Sequence, residues 1–275
     1  MTPSASPSPP VPPTADLVVD AVDQLRSQVP LVHCLTNVVV AGFTANALLA
    51  SGAAPAMSDA VDDADVLARG AGAVLVNLGT VTKESFEGMR AAVAAVGDSG
   101  GRWVLDPVAA GALPWRASLA KELLELSAPT VIRGNPSEVL ALTGQAGGRG
   151  VDSSAAPDDA IEAARALARE HASVVAVSGE VDLLTDGERV VRVANGHELM
   201  TRVTGVGCAL GALVAGFAAV VDDPLVAAVA ATVLLTLAGE GAAARADRPG
   251  SFAVALLDEL DAVDADRIRA GARLS

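Results

Sequence analysis

The chain has no tyrosine, four phenylalanines and two tryptophans, so aromatics make up 2% of 275 residues while apolar residues make up 51%. Rings cannot fill the interior, and Ala, Val and Leu must do so by close approach of helices and strands. Basic residues are also scarce. Nineteen Lys and Arg stand against 33 Asp and Glu, for a net charge of -14, which opposes general electrostatic attraction to nucleic acid or to an anionic membrane surface. Any phosphate ligand must be held locally, by backbone N–H groups, a few arginines and a divalent cation.

Cysteine and histidine are too few and too scattered for a framework. Cys34 and Cys208 lie far apart, no Cys-x-x-Cys pair occurs, and the three histidines lack metal-ligand spacing, so neither a disulfide scaffold nor a zinc site is indicated. No Gly-x-Gly-x-x-Gly follows the first strand, no Walker A lysine or protein-kinase signature is present, and no repeat recurs at a fixed period. The start of the chain has neither a basic n-region nor an apolar h-region and is rich in Pro, Ser and Thr. Residues 1–15 therefore read as a disordered leader and residues 16–275 as one domain of a cytoplasmic protein.

Two stretches, 203–221 and 224–239, carry no charge. The first opens on a Thr/Gly turn, both are dominated by Ala and other small residues, and Asp222-Asp223 separates them without Lys or Arg anchors. They read as helices buried in a core rather than as membrane spans.

Short apolar runs at 31–35, 73–78, 102–105, 130–132 and 173–177 alternate with helical patterns at 38–50, 83–96, 117–126 and 158–170. Strands nearly free of polar residues and separated by helices predict an α/β fold, a central mostly parallel sheet with helices on both faces. Residues 181–185 and 189–193 flank Asp186-Gly187 and predict a hairpin, after which the chain turns helical. In such sheets ligands bind beyond the carboxyl ends of the strands. Polar or glycine-rich residues recur there: Thr36-Asn37, residues 77–80, Asp106-Pro107, residues 133–138 and residues 178–180.

Two of these segments, together with residues 204–208, carry chemistry. Thr204-Gly205-Val206-Gly207-Cys208 is a glycine turn feeding a helix N-terminus, where unpaired N–H groups and the helix dipole suit a phosphate or an oxyanion. The same field is expected to lower the thiol pKa of Cys208. Asn135-Pro136-Ser137-Glu138 starts a helix, with Asn135 as cap and Glu138 completing a capping box; Glu138 and Asp106 could also flank a hydrated Mg²⁺, with Arg133 facing a phosphate. Taken together these are parts for phosphoryl transfer.

Asn135-Pro136-Ser137-Glu138 resembles the Asn-x-x-Glu motif of the ribokinase-like superfamily, and residues 204–208 resemble its C-terminal anion-hole motif, with Cys208 where most members carry Asp. With Thr36-Asn37, residues 54–58, Asp106-Pro107-Val108 and Arg133-Gly134-Asn135, the chain from about Val18 onward is similar to the hydroxyethylthiazole kinase family. The resemblance implies a ribokinase-like fold and ATP-dependent phosphorylation of the hydroxyl of 4-methyl-5-(2-hydroxyethyl)thiazole. It implies that Met57, Gly205 and Asn37 contact the thiazole, that Arg133, Ser178 and the Gly207 amide contact ATP, that Asp106 and Glu138 serve Mg²⁺ and the phosphates, and that Cys208 is catalytic. It also implies a homotrimer with sites where subunits meet. Ser178 stands where Thr is expected, and Val206 replaces a common Thr. A kinase for another vitamin precursor and a non-catalytic ligand sensor are the alternatives. His33 and Cys34, inside an apolar strand, receive no role.

Overall fold

A computed structural model describes residues 12–144 and 157–275. Residues 1–11 of the expected leader lie outside the described residues, and its inner end is one residue too long. Ala15 opens the first helix, α1 (Ala15–Gln28), with Thr14 as its cap accepting from the Leu17 N–H.

Six parallel strands follow: β1 (Leu31–Leu35), β2 (Ala54–Ala56), β3 (Ala73–Asn77), β4 (Trp103–Asp106), β5 (Val131–Gly134) and β6 (Val174–Val177). The antiparallel pair β7 (Asp182–Thr185) and β8 (Val190–Val193) forms the expected hairpin, with Gly187 at φ 95° in its turn. Among the described residues these make one eight-stranded sheet in the order β2-β1-β3-β4-β5-β6-β7-β8. Strand β5 runs two residues beyond expectation because Arg133 and Gly134 pair with Ala176 and Val177 of β6. Strand β2 escaped the reading: Pro55 lies at its centre, which an edge strand tolerates because the missing N–H faces outward.

Among the described residues, six helices build one side: α1, α2 (Ala41–Ser51), α8 (Val206–Val220), α9 (Pro224–Arg245), α10 (Pro249–Ala262) and α11 (Ala265–Gly271). The other side holds α3 (Val61–Gly70), α4 (Lys83–Ser99), α5 (Pro114–Leu126), α6 (Pro136–Leu142) and α7 (Ile161–His171). Helix α2 begins three residues later than expected, since residues 38–40 form a turn closed by the Val40 N–H on the Asn37 carbonyl. The expected helix over 158–170 starts as a 3-10 turn, Pro157–Ala160.

Strand alternation sorts the core. Leu75, Val104, Val131 and Val174 face α8 and α9, while Val74, Leu105, Ile132 and Val175 face α4, α5 and α7. Helix α9 is long and apolar enough to cross a membrane, but 89% of its most apolar window is buried inside the fold. It is a core helix.

Two glycines on different helices separate packing from helix propensity. An added Cβ at Gly88 in α4 would run into the Asp59 carbonyl, whereas at Gly250 in α10 it would meet nothing within 4 Å. Gly250→Ala is expected to raise stability by about 0.5–1 kcal/mol, and Gly88→Ala to lower it despite the same gain in propensity. Urea midpoints of the two variants check this; equal shifts in one direction would refute the packing account.

Candidate phosphoryl-transfer site

Period-2 alternation decides which side chains meet. In β3, β4 and β5, the positions two residues after Leu75, Val104 and Val131 are Asn77, Asp106 and Arg133, so all three polar groups point to the α8 face. Asn77 and Asp106 are register partners. The N-terminus of α8 lies over them. Gly205 caps it at φ 93° without a side-chain hydrogen bond, and a Cβ there would fall 2.7 Å from Val40 Cγ1. Gly207 and Gly211, one turn apart, let the helix approach: a Cβ at Gly207 would sit 3.0 Å from Arg133 Nη1, and one at Gly211 3.3 Å from Asp106 Oδ2.

The polar groups form a continuous line. Asn37 Nδ2 donates to Cys208 Sγ at 3.3 Å and to Asn77 Oδ1 at 3.0 Å. Asn77 Nδ2 donates to Asp106 Oδ2 at 2.7 Å. Asp106 Oδ1 lies 3.7 Å from Arg133 Nη1, a charge contact too long for a hydrogen bond, and this buried oxygen has no hydrogen-bond partner. Arg133 Nη2 then donates to Ser178 Oγ at 2.8 Å.

Asp106 is fully buried, and burial pushes its carboxyl up to about 7 with the charge of Glu138 adding to the effect; Arg133 and the Asn77 amide oppose it. The thiol of Cys208 is also raised, against the expectation of a lowered one. Burial and the nearby Asp106 charge outweigh the Asn77 and Asn37 donors and the Arg133 cation. A helix dipole is equivalent to roughly half a charge at its end, so a neighbouring carboxylate can cancel it.

Glu138 forms the expected capping box: its Oε2 accepts from the Asn135 N–H at 2.8 Å, and its N–H donates to Asn135 Oδ1 at 3.0 Å. Its other oxygen accepts from the Ala109 N–H at 2.7 Å and so holds Ala109 in the left-handed region at φ 62°. Among the described residues no group of three His, Cys, Asp or Glu side chains is arranged to cage a metal. A partnerless Asp106 oxygen fits a hydrated Mg²⁺ shared with phosphates, the usual mode for that ion.

A cavity of about 800 Å³ opens beside this line. Arg133, Ser178, Val206 and Gly207 line it, as do Asn195, Gly196, His197, Met200 and Thr236. Met57 lies elsewhere. It follows the edge strand β2, is 37% exposed and does not line the cavity; His33, assigned no role, holds the adjacent segment through Nε2 and the Ser58 carbonyl, 2.9 Å apart. Three participants escaped sequence reading. Asn77 was visible only as one strand-end residue among several. Asp182, pushed up to about 6 by burial and lining the cavity, accepts from the Gly179 N–H at 2.9 Å; its one signal is a carboxylate beginning an apolar strand. Glu240 accepts from the Gly196 N–H at 2.9 Å from the distant helix α9, with no local signal.

A carboxyl raised from 3.8 to about 7 holds a proton in the folded state that the unfolded chain has already released, so Asp106 withdraws stability as pH rises from about 4 to 7. Asp106→Asn is therefore expected to abolish turnover and to stabilise the fold, by on the order of 4 kcal/mol at pH 8 and far less at pH 4. Urea melts at both pH values test this; a gain independent of pH would refute it.

The model of the "Hydroxyethylthiazole kinase family" matches residues 22–266. A hydroxyethylthiazole kinase of Kineococcus radiotolerans is 56% identical over 262 residues, covering 95% of each chain. The structure of the hydroxyethylthiazole kinase protein from Pyrococcus horikoshii OT3 is 39% identical with a TM-score of 0.88, covering 94% of this chain and 98% of that one. A ribokinase-like superfamily protein of Enterococcus faecalis is 11% identical with a TM-score of 0.64, covering 92% of this chain and 95% of that one, and shares the fold. The chain belongs to the hydroxyethylthiazole kinase family and has the ribokinase-like α/β fold.

Proposed function

We propose that the chain transfers the γ-phosphoryl group of ATP to the hydroxyl of 4-methyl-5-(2-hydroxyethyl)thiazole, giving the phosphate used in thiamine biosynthesis or salvage. The observation that carries the reading is the line of polar contacts from Asn37 and Cys208 through Asn77 and Asp106 to Arg133 and Ser178, beneath the N-terminus of α8, whose Gly205 cap makes no side-chain hydrogen bond. Acceptor and donor of the phosphoryl group then have separate ends of one site.

The thiazole alcohol occupies the Asn37 and Cys208 end, against Gly205. ATP lies in the cavity with its phosphates toward Arg133, Ser178 and the Gly207 amide. Asp106 and Glu138 would hold a hydrated Mg²⁺, which would neutralise phosphate charge. The amides of residues 205–208 stabilise negative charge on the migrating group, as donors that need no reorganisation. Arg133, anchored on Ser178 and beside Asp106, holds its guanidinium across the phosphates. In a loose transition state the acceptor proton leaves late. Cys208, with its pKa raised, enters this step as a neutral thiol that positions the hydroxyl.

We infer a cytoplasmic homotrimer acting without nucleic acid or membrane. Val38 and Val39, next to Asn37 in sequence, and Val61, four residues after Met57, are 76%, 66% and 50% exposed, apolar surface that suits burial against a second subunit. Met57 would then meet the thiazole at the interface.

A coupled ADP-release assay with a panel of small alcohols tests the activity. Thiazole-dependent turnover is expected; turnover only with a hydroxymethylpyrimidine would reject the substrate, and binding without turnover would favour a sensor. Cys208→Ala is expected to lower kcat by about tenfold and Cys208→Asp to retain it, whereas a fully active Ala variant would reduce Cys208 to packing. The subunit reading has its own check by light scattering and calorimetry. Val39→Asp is expected to yield monomers that bind ATP with parent affinity and the thiazole at least about tenfold more weakly; a trimeric variant with parent affinities would refute it.

A further inference from the structure

The main-chain N–H of Gly79 is a donor and nothing else. It lies 3.0 Å from Asn77 Oδ1, which fixes how the Asn77 amide is turned: oxygen toward Gly79 and Asn37, nitrogen toward the Asp106 carboxylate at 2.7 Å. That orientation propagates. Asn37 faces an oxygen and so presents Nδ2 to it at 3.0 Å. The same nitrogen reaches Cys208 Sγ at 3.3 Å, so the sulfur is an acceptor in this contact and the thiol hydrogen is not used there. Asn77 is fully buried, where water cannot replace a lost partner without a cavity being opened. The loop bearing Gly79 packs directly on Asn37, since a Cβ at Gly79 would lie 2.5 Å from Asn37 Nδ2.

We propose that Asn77 is a positioning residue for phosphoryl transfer: its amide sets the hydrogen-bond polarity of the site, holding Asp106 as an acceptor on one side and, through Asn37, the Cys208 sulfur as an acceptor on the other. This rests on the kinase reading above. Asn77 is fully buried, and its side-chain hydrogen bonds run to Asn37, Gly79 and Asp106, so it acts through the groups it orients. Its effect reaches both ends because one planar amide has opposite polarities at its two termini. A side chain that only filled space could not do this.

The test uses the full chain and three variants, with kcat, the KM for ATP and the calorimetric dissociation constant of the thiazole alcohol as readouts. Asn77→Ala is expected to lower kcat by about 30-fold and weaken thiazole binding by about tenfold, with the KM for ATP within about threefold of the parent. Asn77→Asp sets a second carboxylate beside Asp106 and is expected to lose kcat as well. In the double variant Asn77→Asp, Asp106→Asn, the new amide donates to the new carboxylate, which keeps the acceptor toward Gly79 and Asn37 that Asn77→Ala removes. Thiazole affinity is then expected to come back to within about threefold of the parent while turnover stays low. An active parent with an equally active Asn77→Ala would overturn the inference alone; an inactive parent would overturn it together with the functional reading. Should Asn77→Ala fail to fold, the double variant decides: restored thiazole affinity supports the proposal, and a folded, ATP-binding variant without it overturns the proposal.

Discussion

Everything at the site depends on how closely α8 can approach the strand ends. Its first turn must bring main-chain N–H groups over Asp106 and Arg133, and a single methyl at Gly207 or Gly211 would contact those side chains. The same closeness runs through the core beneath, where Ala212, Ala215, Ala228 and Ala231 are fully buried on α8 and α9. An interior almost without aromatic rings is the counterpart of that geometry. Small side chains allow the helix to lie low, and the low helix brings its dipole to a place where a buried carboxylate already stands.

That coincidence sets the chemistry. Burial raises Asp106, and Asp106 in turn helps to raise Cys208. The cation at Arg133 and the Asn77 amide keep the carboxylate from being fully uncompensated, yet one of its oxygens has no hydrogen-bond partner. A buried polar atom without a partner is worth on the order of 1–3 kcal/mol of lost stability, and such a loss is typical where a group is kept ready for a ligand. Stability is given up at the position where charge has to be managed during transfer.

Much of this was legible before any coordinates. Apolar runs bounded by Gly, Pro and Asp marked β1, β3, β4, β5 and β6, and the capping box at Asn135 and Glu138 followed from residue types three apart. The turn at Gly205 was legible because its positive φ favours glycine. Strand β2 and helix α3 were not, for Ala54–Ala56 is too short for a pattern and α3 mixes four Asp and Arg residues with six small or branched ones around a narrow buried stripe. Asn77 could have been found: counting by two from Leu75, Val104 and Val131 puts Asn77, Asp106 and Arg133 on one face. The Cys208 environment could not, because the sign of a pKa shift depends on which charges tertiary packing brings near, and a helix N-terminus says nothing of a carboxylate from another strand.

Glu138 shows how a motif can do two jobs. Both of its oxygens accept main-chain N–H groups, from Asn135 in its own cap and from Ala109 across the site. The second bond holds a non-glycine residue at positive φ, a conformation that costs about 1 kcal/mol or more without such support, and thereby fixes the loop that follows Asp106. Any service Glu138 gives to a metal ion must use the remaining lone pairs of oxygens already committed to the backbone. Its carboxylate is therefore less free to meet a further ligand than the partnerless oxygen of Asp106. Two carboxylates that sequence reading pairs as equals are made unequal by what else they hold.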